Sequence, residues 1–442
     1  MNDQVKAPPG PAAGTAAPAG HRTPSGTMGR LFEVWAEPKG RAIEVAPRTW
    51  QVTAGVVNVA VIETGEGLVL VDTAMRHDGP ELLRLIRAVT DAPLHTVVYS
   101  HAHIDHAFGH GPLLAEAAER GDPPPRIVAH RAAADRFRRY LRTAELNTTL
   151  NARQSGGPRT WWPRHDADVF WPDTVYDDTL TLRIGGEEFH LHHARAETDD
   201  ATWVWIPGRR VVCAGDLWNG VCPNAGNPQK VQRYAEEWAD AFDRIAAVGA
   251  DVLIPGHSMP ILGAATIRER LGNASELLRH IVAHTLEGMN AGQRPDTILD
   301  TLRIPAHLAY LPYLQPLHDR PEFIAANVIR LYGGWWNGYA ADLLPAPREQ
   351  LAAVLAELAG GADTLAAKAR DLIGDDLQLA CHLAELAVLA APDNTAAHEA
   401  AVKAFTRRFD AEPSFMGRGI YRVAAATSQE ALRSLTSTKD NQ

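Results

Sequence analysis

The sequence predicts an α/β sandwich followed by an all-α domain, and three observations carry that expectation. Short apolar runs that read as strands alternate with helix-periodic segments as far as residue 254. Three of these runs end in residues able to bind metal: 96–99 leads into Ser100-His101-Ala102-His103-Ile104-Asp105-His106, 211–214 into Gly215-Asp216, and 251–254 into Pro255-Gly256-His257. Strand ends converge on one edge of such a sandwich, so the three segments are expected to meet there. From Glu349 to about Phe409 the pattern changes to successive amphipathic helices, with turns at Gly360-Gly361, Gly374-Asp375 and Pro392-Asp393-Asn394.

At 442 residues the chain is too long for one small core, and two large domains are expected, over residues 27–300 and 301–430. Residues 1–26 are rich in Pro, Ala and Gly and lack an apolar stretch, which predicts a disordered tail and not a signal peptide. The 43 Lys and Arg against 53 Asp and Glu give a formal charge of −10, which argues against nucleic acid as a partner. No run approaches the roughly 20 apolar residues of a membrane span. Cys213, Cys222 and Cys381 have no paired spacing, so neither a disulfide framework nor a thiolate metal site is indicated, and a cytoplasmic location is expected.

In chain order, 56–62 and 68–73 flank Gly65-Glu66-Gly67 and read as a hairpin. Residues 81–89 are helix-periodic and lead to the strand at 96–99. His101 and His103, two apart, can point to one side, while Asp105 and His106 fall in the following turn and can face a second point. Two metal ions can share this loop; imidazole and carboxylate ligands suit zinc, or iron or manganese. A strand at 127–130, a helix from Ala132 to about Leu146 and a loop-like segment over 147–173 follow. That loop carries Trp161 and Trp162, which either line a pocket or anchor the loop on the core. Between 180 and 193 the pattern is again strand-like, with Gly185-Gly186 as the turn. Among His190, His192, His193 and Glu197, Glu197 has the better position for a ligand. Asp216 ends a buried strand, where a lone carboxylate needs a partner that a metal pair would supply.

The pattern His101-x-His103-x-Asp105-His106, followed by Gly215-Asp216 and Gly256-His257, resembles the metallo-β-lactamase fold, which implies a four-layer αββα sandwich with a two-metal site. A glutamate nineteen residues before Asp216, at Glu197, and the segment His257-Ser258-Met259-Pro260-Ile261-Leu262-Gly263 are similar to the alkylsulfatase branch. So are Gly333-Gly334-Trp335-Trp336-Asn337-Gly338 and Ala390-Ala391-Pro392-Asp393-Asn394, which resemble its dimerisation domain, with helix pairs like tetratricopeptide units. The resemblance implies that His101, His103 and Glu197 hold the first ion, Asp105, His106 and His257 the second, and that Asp216 bridges them. Asp105 and Asp216 are then the catalytic carboxylates, and Asn224, Lys230 and Arg233, with Trp161 and Trp162, the candidate substrate contacts. Asp216 stands where that branch carries glutamate. A third, sterol-carrier-like domain of the branch has no counterpart in these residues, and shorter or more polar alkyl sulfates are expected on that ground.

Two divalent ions about 4 Å apart can generate hydroxide near neutral pH, the nucleophile of a hydrolase. The expected activity is cleavage of a small anionic alkyl sulfate ester to alcohol and inorganic sulfate. Hydrolysis of a carboxylic ester, lactone or thioester is the alternative, and a binding module without turnover is disfavoured because all seven ligand positions are filled. Trp335 and Trp336, read as helical, cannot both pack on one helix face, and with the resemblance they predict a homodimer.

Overall fold

The computed structural model describes residues 27–156, 159 and 161–440; the tail expected over residues 1–26 lies outside them. A short helix, α1 (Thr27–Ala36), precedes the first sheet. That sheet runs in sequence order through β1 (Ala42–Ala46), β2 (Thr49–Ala54), β3 (Val57–Thr64), β4 (Gly67–Val71), β5 (Leu94–Val98), β6 (Arg126–His130) and β7 (Thr174–Tyr176). Neighbours are antiparallel as far as β4 and parallel beyond it. The second sheet has the order β13-β12-β11-β10-β9-β8, built from β8 (Thr179–Ile184), β9 (Glu187–Ala194), β10 (Ala201–Ile206), β11 (Val211–Gly215), β12 (Val252–Pro255) and β13 (Ile261–Leu262). The expected β3–β4 and β8–β9 hairpins are both present.

Strands such as β4 and β11 read as unbroken apolar runs because both their faces are covered. Val69 and Val71 of β4 join Phe189, Val204 and Ile254 between the two sheets, whereas Leu68 and Leu70 face the outer layer. That outer layer contains α2 (Gly79–Arg87), α3 (Gly111–Arg120), α4 (Arg131–Arg142) and α5 (Ala144–Ser155), which contribute Leu82, Leu113, Phe137 and Ala144. On the far side α6 (Ala235–Ala247) and α7 (Ala264–Asn290) set Trp238, Phe242 and Leu271 against Trp203 and Leu253. The result is the expected αββα sandwich. Each large side chain so buried contributes about 1.5–3 kcal/mol.

Helices α8 (Pro295–Thr301), α9 (Ala306–Ala309) and α10 (Pro321–Tyr332) follow, and Ile324 and Val328 of α10 still belong to the core behind the second sheet. Beyond them α11 (Arg348–Ala359), α12 (Ala362–Leu372), α13 (Leu377–Ala390) and α14 (Thr395–Ala411) pack around Ala366, Ala369, Ala384, Ala387, Ala400 and Ala404. Small residues allow close helix approach, and the turns fall where the sequence places them. The last helix, α15 (Phe415–Asp440), returns to α5, where Arg422 Nη2 donates to the carbonyl of Arg153 at 3.3 Å.

Two local expectations differ from the structure. Helix α5, Ala144–Ser155, runs on into the segment read as a loop over 147–173. Its sequence has no apolar stripe, and only Ala144 and Thr148 are buried, so its packing against α15 was invisible to periodicity. Trp335 and Trp336 lie outside any helix, because α10 stops at Tyr332 and Gly334 adopts φ 110°.

Candidate metal centre

The loop after β5 is held from beneath by Asp72, the residue after β4. Its carboxylate accepts from the Ser100 backbone N–H at 2.7 Å, the Ser100 hydroxyl at 2.6 Å and His106 Nδ1 at 2.8 Å. Asp72 itself sits in the left-handed region at φ 70°, a conformation these three bonds fix in place. On the loop's other side the Ala102 N–H donates to Asp200 Oδ2 at 2.8 Å, and Asp200 Oδ1 accepts from Arg136 Nε of α4 at 3.0 Å. Gly215 and Gly256 permit the close approach of the other two strand ends. Gly215 has φ 51° and a Cβ there would stand 2.5 Å from Ser100, while one at Gly256 would collide with Asp216 Oδ1.

These supports bring six of the seven expected ligands into two adjoining groups. His101, His103 and Asp216 form one and Asp105, His106 and His257 the other, with the ligand atoms of each group within 4.8 Å of one another. Asp216 lies between them: Oδ2 is 3.9 Å from His101 Nε2, while Oδ1 is 3.3 Å from both His106 Nε2 and His257 Nε2. Asp105 Oδ2 stands 3.6 Å from His106 Nε2 and 3.8 Å from His257 Nε2.

The hydrogen bonds on the outer ring nitrogens assign the tautomers. His106 Nδ1–H donates to Asp72 and His257 Nδ1–H to the Val56 carbonyl at 2.7 Å, so in the neutral ring each Nε2 turns a lone pair inward. The Ser100 hydroxyl donates to Asp72, so its oxygen accepts from His101 Nδ1–H at 3.0 Å, which leaves His101 Nε2 bare, 2.8 Å from His103 Nδ1. Burial, with His106 adding, pushes His101 down to about 3, and burial with His101 and Arg136 holds His103 well below the usual range. Burial works against charge on His106 and His257 as well, yet the carboxylates led by Asp216 raise both. Burial alone would raise Asp216, but His257 and His106 hold it well below the usual carboxylate range. His106 Nε2, Asp216 Oδ1 and Glu197 Oε2 are buried without a hydrogen-bond partner. A cluster of inward lone pairs and unpartnered carboxylate oxygens fits divalent cations and little else.

Glu197 stands outside both groups. Its Oε1 accepts from Arg233 Nη1 and from Asn224 Nδ2, the latter at 2.9 Å. Its Oε2 is unpartnered, and the residue lines a cavity of about 10 Å³ together with His101 and Asp216, room for a single small occupant. Burial raises the Glu197 carboxyl above its ordinary range although Arg233 opposes this. Asn224 Nδ2 also lies 3.2 Å from His318 Nε2. Lys230 Nζ donates to Asn151 Oδ1 of α5 at 2.9 Å and lies 5.9 Å above the Trp162 ring. Trp162 takes the anchoring role, buried edge-on against Tyr140, whereas the partly buried Trp161 packs on Phe108 and under Arg76. His192 and His193 are spent on stacking, against Trp203 and His130.

Sequence reasoning missed the supporting ring: Asp72, Asp200, Arg136, His318 and Trp35. The indole of Trp35, on α1, stacks on His257 at 4.1 Å and 16° and donates to the Asn219 carbonyl at 2.9 Å. The apolar strand ending at Asp72 was the one signal that could have found that residue; Trp35 lies more than 200 residues from its partner.

An αββα sandwich with paired ligand groups at its strand ends defines a metallo-hydrolase fold. Two protein families match the chain: the metallo-β-lactamase superfamily over residues 52–257 and the alkyl sulfatase dimerisation domain over residues 294–431. Together the two matches span most of the chain, and in this pairing of domains it is similar to hydrolases of the alkylsulfatase type. It is 26% identical to a linear primary-alkylsulfatase of a Pseudomonas species over 83% of this chain and 72% of that protein. With an alkyl/aryl-sulfatase of Saccharomyces cerevisiae the identity is 24%, over 94% of this chain and 68% of the relative. The solved structure of an inverting sec-alkylsulfatase, Pisa1 from Pseudomonas, superposes with a TM-score of 0.78 at 22% identity, over 89% of this chain and 65% of that one.

Proposed function

We propose that the chain is a two-cation hydrolase that cleaves an alkyl sulfate ester to an alcohol and inorganic sulfate. The observation that carries this reading is Asp216, whose two oxygens face different ligand groups. His101 Nε2, His103 Nδ1 and Glu197 Oε2 would hold one ion, and Asp105, His106 and His257 the other. The donor set is nitrogen and oxygen without thiolate, which suits zinc first and iron or manganese next. Bound there, two divalent cations would acidify water and draw charge from the ester oxygens.

The protein's own contribution is to orient and to move protons. Asp105, with a side chain 23% exposed, is the most open carboxylate of the cluster and would take the proton of the attacking water. Lys230, with a neighbouring tryptophan face, offers a cation for the sulfate, and Trp161 an apolar surface for the alkyl chain. Asp216, where the branch carries glutamate, favours one second reading: hydrolysis of a carboxylic ester, lactone or thioester at the same centre. Release of inorganic sulfate from short alkyl sulfates, measured beside acid release from matched carboxylic esters, separates the two. Sulfate release is expected to dominate, and acid release alone would replace the first reading by the second.

We further read the protein as a homodimer of about 96 kDa, twice 48.0 kDa. Trp335, Leu344 and Leu358, at 75%, 88% and 80% exposure, support it by their lack of cover within one chain. Among the described residues no helix is long and apolar enough to cross a membrane. The three cysteines are buried free thiols, which suits the cytoplasmic placement.

A further inference from the structure

In the usual histidine pattern the third ligand of the first ion is neutral, and here Glu197 brings a negative charge to the same place. A carboxylate added to a cluster that already holds Asp105 and Asp216 would strengthen its grip on a cation and weaken that cation's pull on a substrate. The structure supplies the opposite charge at once. The guanidinium of Arg233, itself 3% exposed, meets Glu197 Oε1 through Nη1, and the same nitrogen donates to the Asn224 carbonyl at 2.5 Å. Asn224 Nδ2 adds a second donor to that oxygen at 2.9 Å. Two hydrogen bonds to the main chain fix the Arg233 segment: Tyr234 N–H donates to the Ala196 carbonyl at 3.0 Å, next to Glu197, and Asn327 Nδ2 donates to the Arg233 carbonyl at 2.9 Å. With Oε1 held from outside, Oε2 is left unpartnered beside the cavity shared with His101 and Asp216.

We propose that Arg233 is a positioning residue for Glu197, and that this ion pair together replaces one neutral imidazole in the first-ion site. The charge change is −1 from the glutamate and +1 from the arginine, so the site carries the net charge of the histidine pattern. Nη1 of Arg233 is thereby committed to the ligand shell, and the grip on an anionic substrate falls mainly to Lys230. The proposal rests on the two-cation reading of the site.

Zinc stoichiometry after dialysis, and zinc affinity by competition with a chromophoric chelator, test it in five proteins of the full chain. The native protein should hold two zinc ions, and fewer would overturn the two-cation reading and this inference with it. With two present, Glu197→His alone should fall to one ion, because the buried Arg233 is left beside a neutral ligand. Glu197→His combined with Arg233→Met should regain the second. Arg233→Met alone should keep both ions and hold the first about tenfold more tightly, since the full carboxylate charge then faces the cation. Arg233→Lys, which keeps the charge, should match the native affinity and remains decisive should the double variant fail to fold. A Glu197→His protein that keeps two ions at native affinity, or Arg233→Lys and Arg233→Met proteins with equal affinity, would overturn the inference.

Discussion

At the strand ends buried polar atoms lack partners, whereas in the C-terminal region apolar side chains lack cover. His106 Nε2, Asp216 Oδ1 and Glu197 Oε2 lie in the interior with nothing to bond. Trp335, Leu344 and Leu358 lie mostly in water, and Leu343 and Val354 are half exposed beside them in the sequence. The two kinds of incompleteness identify different missing components. An unpartnered lone pair in a dry site costs free energy until a cation or proton meets it, which specifies a charged ligand with fixed geometry. An uncovered apolar patch is relieved by any complementary surface, and a second copy of the same chain is the one a dimerisation domain provides. The first region should therefore respond to metal and the second to protein concentration, each without the other.

The largest effect should come from Asp216, the carboxylate shared between both ligand groups. Asp216→Ala is expected to lower kcat/KM by about a thousandfold or more and to release both ions, read by turnover and metal analysis. Retention of both ions would break the shared-ligand geometry. Asp72 touches the site only through Ser100 and His106, so Asp72→Asn should cost less, roughly 10- to 100-fold in metal affinity. A variant equal to the native protein would show that the loop needs no support from β4.

Lys230 gives a smaller, pH-dependent effect. Burial lowers its ammonium to about 8, with Arg233 adding to the shift. It is charged below that pH and neutral above, so its hold on an anionic ester is present below about pH 8 and lost as pH rises through it. KM should climb about tenfold between pH 7 and 9 while kcat changes less, and Lys230→Arg should flatten the profile. A flat native profile would remove Lys230 from the binding of substrate. On the other region, Leu344→Glu with Leu358→Glu should halve the mass seen by light scattering while leaving metal content and activity per chain near native. A metal loss in that variant would show that the two regions are not independent.

Much of this was legible in the sequence. The sandwich followed from apolar runs with strand length, and most of the candidate ligands stand just after such a run, at a strand end. Helices α11–α14 were legible from their turns and alanine-rich faces. What escaped was whatever depended on distant partners. Asp72 and Asp200 are single carboxylates whose roles appear only when β4 and β10 are laid beside the β5 loop. Helix α5 has no apolar stripe, and α1 is short, its Trp35 finding His257 only in the folded chain. The resemblance implied Glu197 as a ligand and Arg233 as a substrate contact, and the structure pairs the two directly. The two indoles near residue 335 were read as helical, and the end of α10 at Tyr332 with the positive φ of Gly334 places them beyond it.

Metal analysis of protein purified without chelator tests the central claim most directly. The clustered ring nitrogens of His101, His103, His106 and His257, with Asp216 between them, predict two divalent ions per chain, zinc foremost. A reproducible value of one ion or none, in protein that is folded and dimeric, would contradict it.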